Sequence, residues 1–339
     1  GVGLCVVVIL RAQQVEFRGS NWPGIVLQRV DHQTQLSNCQ ISGAKTGIQI
    51  FGGEPQLRSL QLSGNRVGIE LKQQSRALLE ENHFIANEKV GLFIKEGSTP
   101  QVRGNHFVEN GKYGVYIFRS IPTEFSENRF ENNATGLMIA YFGIDPQINN
   151  NLFTGNQVGI HVDRSAKPQL VGNRLLSNQV GIKLQRRSDA QVEENLFREN
   201  RQGVAVLYSS YPRIIGNDFL ANRLAIYLEH QSSVWERANG ADRRKQAVSS
   251  RGVFGAKPRQ QVTEQQRQPG ELDGTVDARG NWYGDAETEE INTLGADANL
   301  DFIHDSRDQP TFSEAGKIYP LDRVKYFPAA EKSQFREGM

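Results

Sequence analysis

The chain has few cysteines and no long apolar run, the features that identify a disulfide-rich domain or a membrane protein. Cys5 and Cys39 are its two cysteines in 339 residues, too few for a disulfide framework. No apolar run approaches the roughly 18 residues that a membrane-spanning helix needs. The 39 lysines and arginines nearly balance the 38 aspartates and glutamates, so no overall charge favours nucleic acid. We therefore expect no disulfide scaffold, no transmembrane segment and no nucleic-acid partner.

A regular repeat is present instead. In the unit 147–170, Asn151 and Asn156 bracket Phe153, and Gly159-Ile160 follow. The first asparagine of the unit recurs at steps of 23, 23, 23, 22, 22 and 22 residues. These asparagines are Asn82, Asn105, Asn128, Asn151, Asn173, Asn195 and Asn217. A fixed period of this length is the signature of a solenoid, in which each unit buries its apolar face against its neighbours.

Each unit contains about three short segments in which apolar and polar residues alternate, which favours β-strands over helices. Three strands in 22–23 residues predict an all-β parallel β-helix of about ten coils, with equivalent strands about 4.8 Å apart. One predicted inward column is Ile69, Leu92, Val115, Leu137, Ile160, Ile182, Val204 and Ile226. A second is Phe84, Phe107, Phe130, Phe153, Leu175, Phe197 and Phe219. We expect the asparagines to stabilise turns and to form ladders along the axis.

The periodicity divides the chain into three parts. Residues 1–230 form the β-helix with irregular first coils, and the opening ten residues resemble either the end of a secretory apolar region or a buried strand. Residues 231–275 are rich in glutamine and arginine and have no period, which indicates a solvated or partly disordered loop. The alternative for them is a docking loop for an acidic partner or polyanion. Residues 276–339 contain a cap strand and an aperiodic tail that folds back along the solenoid or engages a partner.

The pattern NxFxxNxxGIxLxxxSxPxL over about residues 24–230, with Asp277–Asp285 (DARGNWYGD), carries a family resemblance. It is similar to the right-handed parallel β-helix repeats of the pectate-lyase-like superfamily. Within that superfamily it resembles the carbohydrate-binding and sugar-hydrolase group, which includes periplasmic proteins that help mature the copper site of nitrous oxide reductase. The resemblance implies a right-handed helix with an irregular C-terminal cap at GNWYG. It also favours an exported protein, in the periplasm, at the outer membrane or outside the cell.

An apolar cluster on outward strand positions is the strongest candidate for a binding surface. Its members lie on three consecutive coils and in the turn that follows. They are Phe93, Tyr116, Phe118, Met138, Tyr141 and Phe142. Such a cluster suits protein contact, where aromatic residues and methionine are enriched, and it also suits stacking on sugar rings. Alternatively, turns or the C-terminal tail cover it and make it a satellite core.

Catalytic and metal-binding candidates are weaker. Asp163 lies beside His161 and near Lys183, which could form an acid–base cluster or ordinary surface pairs. Glycoside hydrolysis needs two carboxylates about 5–9.5 Å apart, and no outward column supplies them in adjacent coils. His83 and His106 share a column about 5 Å apart and could hold copper or zinc, but no third ligand accompanies them. We therefore predict no resident metal and no cofactor.

These patterns favour a non-catalytic, exported solenoid that acts as a scaffold. Its expected partner is an envelope or cell-surface protein or a polysaccharide. The alternative is a polysaccharide lyase, epimerase or hydrolase that acts on the outer face. The sequence does not determine the oligomeric state.

Overall fold

The computed structural model describes residues 15–240 and 272–335. Within these ranges the chain winds through short strands that stack into three long parallel sheets, which we call A, B and C. Sheet A contains β1 Val15–Trp22, β4 Cys39–Ala44, β7 Gln61–Ser63, β10 His83–Ile85, β13 His106–Val108, β16 Arg129–Glu131, β19 Leu152–Thr154, β22 Arg174–Leu176, β25 Leu196–Arg198 and β28 Asp218–Leu220. The expected parallel β-helix of about ten coils is confirmed.

Sheets B and C run beside sheet A along the same axis. Sheet B contains β2 Ile25–Gln28, β5 Thr46–Phe51, β8 Val67–Lys72, β11 Val90–Ile94, β14 Tyr113–Phe118, β17 Thr135–Ala140, β20 Val158–Asp163, β23 Val180–Gln185, β26 Gln202–Leu207, β29 Leu224–Glu229 and β31 Ile303–His304. Sheet C contains β3 Gln35–Ser37, β6 Gln56–Arg58, β9 Leu78–Glu80, β12 Gln101–Arg103, β15 Glu124–Ser126, β18 Gln147–Asn149, β21 Gln169–Val171, β24 Gln191–Glu193, β27 Arg213–Ile215, β30 Thr275–Asp277 and β34 Arg323–Lys325.

Both predicted inward columns lie in the core, together with further inward residues of sheets B and C such as Ile117 and Val102. Every member of the column from Ile69 to Ile226 is completely buried, and consecutive members are paired in register, as Leu92 is with Ile69 and Val115. In the phenylalanine column the rings stack from coil to coil, with centroids 4.5 Å apart between Phe130 and Phe153. Offset stacking of this kind adds to the free energy of burying each ring.

Two ladders of buried asparagines run along the axis. The Asn156 side chain shows the pattern, because its Nδ2 donates to Asn178 Oδ1 at 3.0 Å and to Phe130 O at 3.0 Å. Its Oδ1 accepts from the backbone N of Asn133 at 2.9 Å and from Asn133 Nδ2 at 3.0 Å. Each amide thus satisfies buried backbone groups that the strand ladders leave unpaired at the corners. The predicted structural role of the asparagines is confirmed.

The glycine column is explained by close backbone approach. A Cβ at Gly159 would lie 2.7 Å from the carbonyl oxygen of Gly181 and 3.3 Å from the Leu175 side chain. A Cβ at Gly136 would likewise lie 2.7 Å from the carbonyl oxygen of Gly159. Glycine can provide a positive φ or a tight backbone approach, and at Gly136 and Gly159 it provides the tight approach.

The last coil is completed by segments distant in sequence. After β29 the chain forms helix α1 (Ser233–Asn239), and it returns through β30, helix α2 (Asp285–Leu294), β31, an antiparallel hairpin of β32 (Thr311–Glu314) and β33 (Lys317–Pro320), and β34. Asn281, in the GNWYG sequence, accepts from the backbone N of Asn217 at 2.8 Å and so extends the asparagine ladder. GNWYG therefore lies where a further coil would stack.

The glutamine- and arginine-rich part has only its beginning in the described structure. Glu236 of α1 is fully buried and forms an ion pair with Arg187 at 2.7 Å, so α1 is packed against the solenoid. The expected solvated or docking loop falls mainly on residues 241–271, outside the described residues. None of the described helices is long and apolar enough to cross a bilayer.

Candidate binding face on sheet B

The outward columns of sheet B have the register that the sequence predicts. Phe93 pairs with Tyr116, Tyr116 with Met138, Met138 with His161, and His161 with Lys183. In the second column, Phe118 pairs with Ala140 and Ala140 with Asp163. The aromatic cluster and the candidate acid–base residues therefore lie on one face and adjoin each other.

The rings of the cluster contact one another in a continuous series. Phe93 and Tyr116 stack almost parallel, with centroids 5.0 Å apart and planes 2° apart. Phe118 is 5.8 Å from Tyr116 and meets Tyr141 edge-on at 5.3 Å. Tyr141 in turn stacks on Phe142 at 4.4 Å. The five aromatic residues predicted from sequence are thus in contact, and Met138, the sixth, pairs with Tyr116 in the same column.

Part of this surface is buried by its own members. Met138 is 6% exposed and Ala140 is 1% exposed, although both point outward from sheet B. Tyr141 and Phe142, from the turn after β17, are half-buried and contribute to the cover. The C-terminal hairpin packs elsewhere, with the Phe312 ring 5.1 Å from His230 beside the last coil. The alternative expectation is that turns cover the cluster. The turn after β17 does so in part, because Tyr141, itself a member of the cluster, packs against Phe118.

Cations contact the outer rings. Lys95 Nζ lies 5.1 Å from the Phe93 ring, and Arg119 Cζ lies 4.0 Å from the Tyr141 ring and 5.3 Å from the Phe118 ring. Such cation–π contacts stabilise the rings, and Lys95 is at the same time ion-paired with Glu70 at 2.7 Å. Sequence reasoning missed Arg119, because it follows β14 and belongs to neither outward column.

Tyr113 was also missed. Its ring lies 5.1 Å from that of Tyr116, and Lys112 Nζ lies 5.2 Å from the Tyr113 ring. The sequence repeat could have revealed Tyr113, because it is the single aromatic residue in the column that aligns it with Val67 and Val90. A change of residue type within a repeated column marks a position where the scaffold alone does not set the side chain.

Tyr141 has an unusual backbone conformation. Its φ is 119°, whereas the other non-glycine residues with positive φ cluster between 48° and 65°. Its backbone N donates to the carbonyl oxygen of Asp163 in the next coil at 3.3 Å. Strain of this kind persists only where surrounding contacts enforce it, and it concentrates at functional surfaces. The Tyr141 ring contacts Phe118 and Phe142 of the cluster and lies under Arg119.

The candidate acid–base residues are adjacent, but the Asp163 carboxylate is already ion-paired with Arg186. Asp163 is 2% exposed and accepts from Arg186 through both carboxylate oxygens, with the Nε–Oδ1 distance at 2.6 Å. Its Oδ1 also accepts from the backbone N of Arg164 at 2.8 Å. Burial lowers the pKa of His161 to about 4, with Asp163 opposing this shift and Lys183 adding to it. His161 is therefore neutral at pH 7.

The two stacked histidines lie on sheet A, away from this face. The His83 and His106 rings are 5.7 Å apart in an edge-to-face arrangement, close to the expected spacing. Glu131 Oε1 is 3.2 Å from His106 Nε2. Within residues 15–240 and 272–335, no three His, Cys, Asp or Glu residues form a group that could hold a metal ion.

Comparisons with known proteins agree with this architecture. A model of the right-handed β-helix region matches residues 8–153, and the structure carries the same repeat through its three parallel sheets. The chain is a right-handed β-helix repeat protein. A second family model, described as periplasmic copper-binding protein (NosD), matches residues 145–247 of this β-helix protein. No curated protein matches the chain.

Three similar solved structures are forms of the periplasmic alginate epimerase AlgG. A single mutant has a TM-score of 0.44 at 12% identity, covering 65% of this chain and 67% of that one. A double mutant has a TM-score of 0.41 at 17% identity, covering 64% of each chain. A third AlgG structure has a TM-score of 0.36 at 15% identity, covering 62% of this chain and 59% of that one.

The residues of the NosD-matched region do not fit a copper centre. Its two histidines are His161 and His230. Both oxygens of Asp163, the carboxylate beside His161, are bound by Arg186. The ring of His230 stacks on Tyr208 at 5.2 Å. Copper sites need converging imidazole or sulfur ligands, which the described part of this region does not provide.

Proposed function

We propose that this β-helix protein is an exported, non-catalytic scaffold that binds a protein partner of the cell envelope or surface through sheet B. The binding surface is the cluster of Phe93, Tyr116, Phe118, Tyr141 and Phe142. The observation that carries the proposal is a continuous series of ring contacts on outward strand positions, where a solvated strand would carry polar side chains.

Ring orientation favours a protein over a sugar polymer. A sugar ring stacks on an aromatic face, and one face of Phe93 and one face of Tyr116 are occupied by each other, with Lys95 also over the Phe93 ring. Tyr141 similarly uses one face against Phe142 and is covered by Arg119. The ring edges would form the apolar centre of a protein interface, and the charged groups beside them, which are Arg119 and the Lys95–Glu70 ion pair, would form its polar rim.

The state of Asp163 supports a non-catalytic role. A general base must reach a proton of the substrate with a free lone pair. In the described structure the carboxylate is buried and faces Arg186, and neutral His161 adds no charge that could polarise a substrate. The periplasmic description of the family model over residues 145–247 supports the exported location.

The proposal is tested by capture from a native envelope extract. We expect Tyr116→Ser combined with Phe118→Ser to lower retention of the partner, identified by mass spectrometry, at least tenfold. Phe51→Ser is the matched control, since Phe51 is an aromatic residue on the same face but outside the cluster, on β5, two strands before the β11 strand that carries Phe93. Circular dichroism verifies the fold of each variant. Equal retention by the folded double variant and the control would exclude the cluster as the site.

The enzymatic alternative has its own test. Uronate and neutral polysaccharides are incubated with the protein, with and without calcium, and products are analysed for chain cleavage and unsaturated ends. We expect none. A product that forms with wild type and disappears with Asp163→Asn would establish catalysis instead and contradict the proposed role.

A further inference from the structure

The outer face of sheet A is used differently at its two ends. One outward column runs through nine adjacent strands in register. Its members are Gln40, Gln61, His83, His106, Arg129, Leu152, Arg174, Leu196 and Asp218. At the C-terminal end this column is covered by the protein's own chain, and at the N-terminal end it lines an open trough of about 780 Å³.

The covered end shows how this face receives a peptide. Asp218 is 1% exposed and accepts from the backbone N of Gln334 at 2.8 Å, from the backbone N of Phe335 at 3.3 Å and from Ser333 Oγ. The Phe335 ring lies 5.2 Å from Arg174 Cζ, two strands nearer the N-terminus. Two kinds of contact therefore hold this segment on the face. The outward Asp218 side chain accepts from its backbone N–H groups, and its Phe335 ring lies against Arg174.

The trough continues the same column. Arg129 is separated from Arg174 by Leu152 alone, and the trough then follows His106, His83 and Gln61 to Gln40. Five strands at about 4.8 Å spacing give it a length of roughly 19 Å. An extended peptide rises about 3.3 Å per residue, so the trough accommodates about six residues.

The lining of the trough is mostly neutral and polar, with Glu81 as a carboxylate and Arg129 as a cation. Gln40 and Gln61 each carry a donor and an acceptor, the same pair that a peptide group presents. Burial and the neighbouring His106 lower the pKa of His83, which favours its uncharged ring. Arg129 and His106 both lie near Glu131, at 3.4 and 3.2 Å, so the positive charge there is compensated.

We propose that this trough binds an extended segment of about six residues from a partner protein, with its main chain along the solenoid axis. Gln40 and Gln61 bind the peptide groups, and the His83 and His106 rings contact a side chain. The occupant is a peptide because the same column already holds a segment of this chain, with the Phe335 ring at Arg174, two strands beyond Arg129, and hydrogen bonds to Asp218, four strands beyond it. This site is on a different sheet from the proposed scaffold surface and does not depend on it.

The test uses a display library of random dodecapeptides, selected on the folded full chain and synthesised for measurement of Kd. We expect Gln61→Ala and His83→Ala each to weaken binding of the selected peptides at least tenfold. Lys183→Ala, on sheet B, is the control and is expected to leave Kd unchanged. Both trough side chains are at least partly exposed, so these substitutions preserve the fold, which circular dichroism verifies.

Two results would overturn the proposal. One is that no peptide is enriched on wild type relative to the doubly substituted Gln61→Ala, His83→Ala protein. The other is that enriched peptides bind both proteins equally, which would place them outside the trough. Cellohexaose is included as a competitor, and trough-dependent binding of this glycan without any peptide binding would also reject the peptide assignment.

Discussion

Arg186 forms a bidentate ion pair with Asp163 of the neighbouring coil, in which its Nε and Nη2 donate to the two carboxylate oxygens. The pair is asymmetric, because the Asp163 side chain is 3% exposed and that of Arg186 is 50% exposed. It converts the carboxylate best placed for chemistry on sheet B into a contact between coils. The consequences of breaking the pair therefore depend on which partner is removed.

We expect Arg186→Gln to destabilise the protein more than Asp163→Asn. Removing Arg186 leaves a buried carboxylate whose remaining counter-charge is the more distant Arg164, with its Nε 3.8 Å from Oδ2, at a cost of roughly 2–3 kcal/mol. Removing the aspartate leaves an arginine that water can reach, so a loss of about 1 kcal/mol is expected. Urea unfolding of both single variants and the double variant measures the coupling. Equal losses in the two single variants would contradict this asymmetry.

The asparagine ladders are expected to be most sensitive in their interior. Asn156→Ala removes an amide that bonds to Asn133, Asn178 and Phe130, leaving several buried groups unpaired at a cost of about 3 kcal/mol. Asn222→Ala, at the half-buried end of the same ladder, is expected to cost about 1 kcal/mol. The urea midpoints of the two variants decide the order, and a larger loss for Asn222→Ala would refute it.

The C-terminal closure is expected to depend on Asn281. Its Oδ1 accepts from the backbone and side chain of Asn217, and its Nδ2 donates to Ile214 O at 2.7 Å. Asn281→Ala should therefore loosen residues 272–335 before the coils unfold, because only the last coil loses partners. Limited proteolysis measures this as faster cleavage within that range. Asn292→Ala, exposed on α2, is the control and should be cleaved at the wild-type rate.

Acidification is expected to destabilise the protein partly through His161. Burial lowers its pKa from 6.5 to about 4 in the folded state. Between these values the unfolded chain binds a proton that the folded chain does not, so stability falls as pH falls through this window. We expect wild type to lose about 2 kcal/mol more than His161→Gln between pH 7 and pH 4.5.

Carboxylates also respond to acid, so the informative quantity is the difference between the two proteins. NMR titration of the His161 ring measures the pKa directly. Identical pH profiles of wild type and His161→Gln, or a ring that titrates near 6.5, would show that burial does not control this group.

The aromatic cluster shows which parts of the candidate site can be predicted from the sequence repeat. Columns of the solenoid follow from the period, so Phe93, Tyr116 and Met138 could be aligned without coordinates. Tyr113 could have been recognised as an aromatic outlier in its column, whereas the contact of Arg119 with Tyr141 depends on a turn conformation with φ of 119°. No periodic pattern predicts that angle.

By itself the sequence determined the stacking of the coils, the inward columns and the asparagine ladders. It could do so because each coil contacts its nearest neighbours in the same register, and a repeated side chain is therefore its own partner one period away. Tertiary structure alone decided that Asn281 would continue a ladder 64 residues after Asn217 and that Ser333–Phe335 would lie on Asp218. Those contacts join aperiodic segments to the solenoid, and their partners depend on the path of the chain through space.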